Sequence, residues 1–356
     1  MTAGRSSRRK WLGCWLNERW RAEVALRAPW TGTSWLDLHN RDESIVADTL
    51  TRGRICSWVE STQLTLNTVF PHVGSRVMAR ALEEWPISFA STLSQELVRL
   101  PEVSFVIPIG GGDRLGPFDL ALAAARAQRN VQSEVVVVEQ SPMPTLQSRL
   151  PADVRYVHRR VPTALSGFNK SAALNAGASE ARAPNLIVLD GDYIVPADFA
   201  RQCVDKLKYC EAVRPARLIF YLDEATTRAV GRSSRLGPDA RLESIVANNP
   251  TPIALRAATY WEIGGHDENY EGWGGEDCEF LERLRTRRIA EGGWMPVVHA
   301  WHAPAVQKLS GHRNRELHSR VTAVEVEERI TQLVQARQSW SPQLRTAVNS
   351  RSAIES

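Results

Sequence analysis

Two groups of carboxylates stand out as residues whose type and spacing could do chemistry. The first is Asp190-Gly191-Asp192, which directly follows the apolar run Leu186-Ile187-Val188-Leu189. That run reads as a buried strand, and ligands of open α/β sheets bind outside the carboxyl ends of strands. Residues two apart in extended chain point the same way, and the intervening glycine lets a ligand approach the backbone. Two hard oxygen donors on one side suit Mg²⁺ or Mn²⁺, and such an ion can neutralise a diphosphate. An acidic turn without a ligand is the plainer alternative. The second group is Glu276-Asp277, with Glu279 close behind, after Gly272-Trp273-Gly274-Gly275. A helix starting near Gly275 puts Asp277, Leu281 and Leu284 on one face, at i, i+4 and i+7. Its acids then occupy the first turn, where the helix dipole favours negative charge. Asp277 is expected to face the domain body and Glu279 to face elsewhere; simple capping by surplus acids is the alternative.

The elements that must position these groups alternate from Val103 onward. Val103 to Pro108 reads as a buried strand ending in the Gly110-Gly111-Gly112 turn, and Leu120 to Ala127 suits a helix. Val135 to Val138 and Val154 to Val157 read as strands, Gly167 to Arg182 as a helix, and Leu186 to Leu189 as the fourth strand. Uniformly apolar strands alternating with helices predict an α/β fold, its sheet mostly parallel and covered on both faces. Val326, Ile330, Leu333 and Val334 fall at helical spacing, which predicts a C-terminal helix. Residues 223–249, rich in Arg, Ser and Gly, read as a flexible loop. The first hundred residues carry seven of the twelve tryptophans. These are expected to pack an accessory layer, with an aromatic platform for sugar stacking as the sharper alternative. The expected division is therefore 1–100 accessory, 101–215 and 216–320 as two halves of the main domain, and 321–356 as helix and tail.

Bulk properties narrow the classes. A chain of 356 residues, 43% hydrophobic and 24% charged, has the composition of a globular protein with a sizeable core. Its 44 basic residues nearly balance 40 acidic ones, and no basic stripe emerges, so a nucleic-acid function is not expected. Arg5, Arg8, Arg9 and Lys10 form a basic cluster. It reads as a solvated tail, with an anionic membrane surface as one alternative, so peripheral membrane contact stays open. The five scattered cysteines include no CxxC pair, which suits reduced thiols in a cytoplasmic protein. No apolar run approaches the roughly 18 residues of a membrane span.

Residues 264–277 carry a more specific signal. Gly264-Gly265-His266-Asp267-Glu268 through Gly272-Trp273-Gly274-Gly275-Glu276-Asp277 resembles the C-terminal signature of galactosyltransferase-like GT-A enzymes. That group includes β-1,4-galactosyltransferases, polypeptide N-acetylgalactosaminyltransferases and bacterial chondroitin polymerases. Phe168-Asn169-Lys170 through Leu174-Asn175-Ala176-Gly177 resembles a helix of the same family, and Asp190-Gly191-Asp192 its metal motif. The resemblance covers residues 103 to about 302 and implies a GT-A fold. It implies a metal-dependent enzyme that moves a hexose or N-acetylhexosamine from a nucleotide-diphosphate sugar, a UDP-sugar favoured, to an acceptor hydroxyl with inversion.

The same resemblance assigns roles. It makes Asp277 the general base and gives Glu276 a donor or acceptor hydroxyl. Trp273 becomes a wall beside the sugars, with Gly272, Gly274 and Gly275 permitting the backbone path. Asp192 is implied as metal ligand with Asp190 nearer the ribose and also on the metal, the set completed by His302 or, second, His299. Mixed carboxylate and imidazole ligation favours Mn²⁺ over Mg²⁺. Pro108, Ile109 and Glu139 are implied to meet the base and ribose, and Asn169, Lys170 and Asn175 the ribose or phosphates. Cys278 stands where some relatives place another acid. A retaining transferase, a sugar nucleotidyltransferase and a non-catalytic carbohydrate-binding protein are the competing readings. A nucleotidyltransferase would need a lysine after the first glycine turn, which is absent.

Overall fold

The computed structural model describes residues 8–27, 32–90, 100–110, 114–161, 168–237, 239–272, 274–303 and 312–338. The N-terminal part opens with α1 (Arg8–Cys14), which passes through a π-helical turn at Trp15–Arg19 into α2 (Trp20–Arg27). A hairpin of β1 (Ile45–Ala47) and β2 (Arg54–Cys56) follows, then β3 (Thr62–Gln63), α3 (Thr65–Val69) and α4 (Pro71–Glu84). Pro71 opens α4, where its missing N–H costs nothing.

The alternating region comprises β4 (Val103–Ile109), α5 (Leu115–Arg126), β5 (Ser133–Ser141), β6 (Val154–Arg160), α6 (Lys170–Glu180) and β7 (Asn185–Val188). Then come β8 (Tyr193–Ile194), α7 (Phe199–Leu207), β9 (Ala212–Val213), β10 (Ala216–Leu222), α8 (Glu224–Ser233) and β11 (Leu242–Ala247). The chain continues with β12 (Ile253–Arg256), α9 (Ala257–Glu262), α10 (Glu276–Leu284), β13 (Ile289–Ala290) and β14 (Met295–His299). Helices α11 (His312–Thr322) and α12 (Val326–Gln338) close it.

The central seven-stranded sheet has the order β13-β9-β12-β7-β4-β5-β6, in which β12 alone runs against its neighbours. The architecture is thus α/β with a mostly parallel central sheet flanked by helices, consistent with a GT-A fold. Successive residues of a strand face opposite sides, and the core divides accordingly. Phe105, Ile107, Val135, Val137 and Ile187 pack with Phe118 of α5 and Phe199 of α7 on one face. Val106, Leu186 and Val188 pack with Leu174 of α6 and Phe280 of α10 on the other. Each such fully buried side chain contributes on the order of 1.5–3 kcal/mol. A second sheet, ordered β3-β11-β10-β14-β8, joins the N-terminal segment to the rest through β3. Leu64, Phe70, Val77 and Met78 share one core with Leu218 and Phe220 of β10 and Val298 of β14.

Two expectations are corrected. Residues 223–249 are mostly regular: Asp223 caps α8 by accepting from the Thr226 amide at 2.7 Å, and β11 pairs along β10. The tryptophan layer holds only in part. Trp35 is 1% exposed and Trp85 packs on the core, but Trp11, Trp15, Trp20 and Trp58 stand out in solvent. Trp30 and the expected helix start at Gly167 lie outside the described residues. No helix among those described is long and apolar enough to cross a membrane.

Helix α6 must lie close to the sheet to deliver its first residue, Lys170, to the strand ends. Gly177 permits this: a Cβ there would sit 2.4 Å from Val106 Cγ1 and 2.8 Å from Val138 Cγ2. Both neighbours are β-branched residues locked in buried strands, so they cannot yield. Gly177→Ala gains roughly 1 kcal/mol of helix propensity but overpacks the core by about 1–3 kcal/mol. The expected outcome is a lower urea midpoint at unchanged m-value; a stabilised variant would show that α6 can retreat.

Candidate active site

Sheet register assembles the first centre. Strand β14 pairs antiparallel with β8, setting His299 opposite Tyr193, and the Ala300 amide donates to the Asp192 carbonyl at 2.9 Å. Asp192 therefore meets the histidines: His302 Nε2 lies 3.1 Å from one carboxylate oxygen and His299 Nε2 3.7 Å from the other. The three donor atoms fall within 4.8 Å of one another. His302 Nδ1 lies 2.8 Å from the Ala303 carbonyl, which can only accept, so Nδ1 carries the proton and Nε2 faces Asp192. Tyr221 of β10 stacks on the His299 ring at 4.1 Å, fixing its plane. Burial pushes the Asp192 carboxyl up, but His299, His302 and Arg114 hold it well below the usual range. One carboxylate and two oriented imidazoles, converging from two strand ends, form a donor set that fits a divalent transition cation such as Mn²⁺.

Asp190 does not join this set. Its Oδ1 accepts from Lys170 Nζ at 2.6 Å and its Oδ2 from Thr251 Oγ1 at 3.2 Å. Lys170 Nζ also donates to Asp277 Oδ2 at 2.8 Å, bridging the two acidic centres. The lysine is placed by the α6 cap: Asn169 Oδ1 accepts from the Ala172 amide at 2.8 Å, and Asn169 Nδ2 donates to the Glu268 carbonyl at 2.7 Å. Burial would lower the lysine pKa, yet Asp190, Asp277 and Glu276 together raise it well above normal. Asp277 moves upward too, because burial and the Asp190 charge outweigh its single lysine. The two shifts are compatible: the ammonium sees several carboxylates, whereas each carboxylate sees one ammonium and at least one like charge. The same environment makes Asp277 more basic.

Helix α10 begins at Glu276, with Glu276, Asp277 and Glu279 in its first turn. Gly275 precedes it at φ 93°, and a Cβ there would meet the Tyr270 ring at 2.8 Å, so only glycine serves. Glu276 Oε2 and Asp277 Oδ1 are buried and have no hydrogen-bond partner among the described residues. Buried acceptors are normally paired, so these two oxygens are poised for donors from outside the protein. Glu279 faces elsewhere, in a bidentate pair with Arg283 at 2.7 Å and a contact from Arg329 at 3.1 Å. Trp273 lies outside the described residues; Gly274, at φ 102°, flanks the α10 cap.

Other expected ligand contacts are already occupied within the protein. Asn175 is saturated: Tyr260 OH and the His266 amide donate to its oxygen, and its NH₂ donates to the His266 carbonyl and Glu268. It fixes the Gly264–Glu268 loop rather than reaching for ribose. Glu139 accepts from Ser141, from the Thr145 hydroxyl and amide, from the Leu146 amide and from Tyr156. No acceptor position is left for a nucleobase. Burial pushes its carboxyl up, but Thr145, Tyr156, Leu146 and Ser141 hold it at about 2. Pro108 and Ile109 end β4 as buried residues, and the Pro108 carbonyl is 3.2 Å from where a Gly191 Cβ would stand.

Three further residues meet the site without a role expected from the sequence: Arg114, 3.5 Å from Asp192, Tyr221 on His299 and Thr251 on Asp190. Only Arg114, beside the glycine turn, had a local signal.

Comparison with known proteins bears on the same region. The family model described as the N-terminal domain of galactosyltransferase matches residues 252–298, which include α10 and nearly all of β14. Validoxylamine A glucosyltransferase of Streptomyces hygroscopicus subsp. jinggangensis (strain 5008) is 49% identical over 37 residues, 10% of this chain and 9% of that protein. The protein of the same name from Streptomyces hygroscopicus subsp. limoneus is likewise 49% identical over 37 residues, 10% of this chain and 8% of its own. The matches span less than a tenth of these relatives.

Burial, then repulsion from Asp277, raises the Glu276 carboxyl to about 7. An acid with a raised folded pKa adds no cost below its unfolded value near 4.5 and destabilises progressively as pH rises through 7. Glu276→Gln removes that cost. Its stability relative to wild type should grow by on the order of 2–3 kcal/mol between pH 4.5 and 8. Urea unfolding in EDTA at pH 5 and pH 8 measures this; a difference that does not change with pH would place Glu276 in water.

Proposed function

We propose that this chain is a metal-dependent glycosyltransferase that moves a hexosyl group from a nucleotide-diphosphate sugar to an acceptor hydroxyl with inversion. The observation that carries the reading is the pairing of two distinct centres. Asp277 Oδ1 stands buried and unpartnered among the described residues, and Lys170 links Asp277 to Asp190, two residues before Asp192 of the Asp192, His299 and His302 set. The family match to a galactosyltransferase domain and the names of the two glucosyltransferases both concern hexoses, which supports a hexosyl donor.

Asp192, His299 and His302 would hold Mn²⁺, or Mg²⁺. When bound, the ion supplies Lewis-acid charge for the departing diphosphate. Asp277 Oδ1 takes the proton of the acceptor hydroxyl as that oxygen bonds to the anomeric carbon. The bond from that carbon to the diphosphate oxygen breaks, and its electron pair leaves with the nucleotide. Lys170 holds Asp277 Oδ2, so the base presents a fixed oxygen to the acceptor. Glu276 Oε2 accepts from a sugar hydroxyl. Asp190 keeps lone pairs for a ribose hydroxyl beyond those given to Lys170 and Thr251. Glu139 acts on the nucleotide indirectly, by bracing residues 141–146 at the end of β5.

Screening nucleotide sugars for Mn²⁺-dependent hydrolysis tests the class, and the anomeric configuration of a transfer product tests inversion. Asp277→Asn should lower kcat by about 10²–10⁴ while calorimetric donor affinity is retained; unchanged turnover would remove Asp277 from the mechanism. His302→Ala should weaken Mn²⁺ binding, read from the resonance of free Mn²⁺, by at least about tenfold. Equal Mn²⁺ affinity in this variant and wild type would refute the ligand assignment.

A further inference from the structure

The described helical segment from Arg8 to Arg27 has two unlike faces. Cys14, Glu18, Ala22 and Ala25 are buried against the protein. Trp11, Leu12, Trp15, Leu16 and Trp20 are each 44–55% exposed. In an α-helix a four-residue step overshoots one turn by about 40°, so stripes at that spacing would wind apart. The π-helical turn at Trp15–Arg19 has more residues per turn and cancels the drift. It keeps Leu12, Leu16 and Trp20 in line on the outside while Cys14, Glu18 and Ala22 stay in line on the inside. Trp11 and Trp15 stack with ring centroids 6.3 Å apart, making one continuous indole surface beside the leucines.

The exposed charged residues of this segment, among those described, are all basic. Arg8 and Arg9 are exposed on the first turn, which holds no acid. Glu18 is buried, and Glu23 lies among Arg19, Arg27 and Arg76 at 3.3–3.8 Å. We infer that this face is a membrane-docking surface, seated in the interface of an anionic bilayer with Trp11, Trp15, Trp20, Leu12 and Leu16 inserted. Indoles favour the headgroup level, and an amphipathic helix with a cationic rim lies in the interface plane at shallow depth. Charge complementarity selects an anionic bilayer over a second copy of the same cationic face, whose like charges would oppose each other. Of the inserted residues, Trp11 also meets the core ring of Phe70, edge-on at 5.7 Å.

The test uses the full chain and vesicles of phosphatidylcholine with or without 30% phosphatidylglycerol. Sedimentation with the anionic vesicles, a blue shift of tryptophan emission and loss of binding in high salt are expected. Leu12→Ser with Leu16→Ser and Trp20→Ser should cut vesicle binding at least tenfold at an unchanged melting temperature. Arg8→Gln with Arg9→Gln should cut it several-fold and flatten the salt dependence. Equal binding to neutral and anionic vesicles, no binding to either, or a dimer in light scattering that the serine variant abolishes would each overturn the inference.

Discussion

The structure turns on one ammonium group. Lys170 Nζ sits between Asp190, at the end of the central strand β7, and Asp277, in the first turn of α10. Without it, three acids would face one another in a buried space. Removing one partner from such a pair typically costs about 3–5 kcal/mol. Much of the surrounding architecture exists to hold that nitrogen in place. Asn169 fixes the start of α6, Gly177 seats the helix on Val106 and Val138, and Asn175 ties its middle to the loop that leads toward α10. The lysine is thus both counter-ion and ruler, setting the distance between Asp190 and Asp277.

The second centre is built by a different device. No helix positions Asp192 against its histidines; a short antiparallel pairing between β8 and β14 does. The register brings His299 beside Asp192, while parallel pairing with β10 brings Tyr221 onto the imidazole. A slip of one residue would turn His299 to the opposite face. The runs Met295–Val298 and Leu218–Phe220 are buried on both faces, so a slip would exchange side chains between two packed cores.

What the sequence disclosed and what it hid divide along the range of the interaction. The strand and helix alternation, the acids after β7 and the start of α10 at Gly275 were legible because apolar period, glycine and helix-start signals are local. The partners of the candidate site residues were less legible. Lys170 and Asp277 are 107 positions apart, and nothing near either one announces the other. Glu139 and Asn175 look like ligand contacts in a linear motif, yet their partners lie in neighbouring strands and loops that saturate them. Residues 223–249 misled through composition: Arg, Ser and Gly masked a helix whose true signal was the Asp223 cap. The exposed tryptophans misled for the opposite reason, because apolar character was read as burial.

The loop before α10 is secured from far downstream. Arg337 donates to the Gly264 and His266 carbonyls, Arg329 reaches Glu279 and Glu282, and Leu333 packs where a Gly264 side chain would stand. Because a chain is made from its N-terminus, the loop emerges from the ribosome long before the helix that fastens it. A nascent or prematurely terminated chain ending before Val326 therefore carries every proposed catalytic residue without the clasp that orders them. The order of the candidate site thus waits on the synthesis of α12.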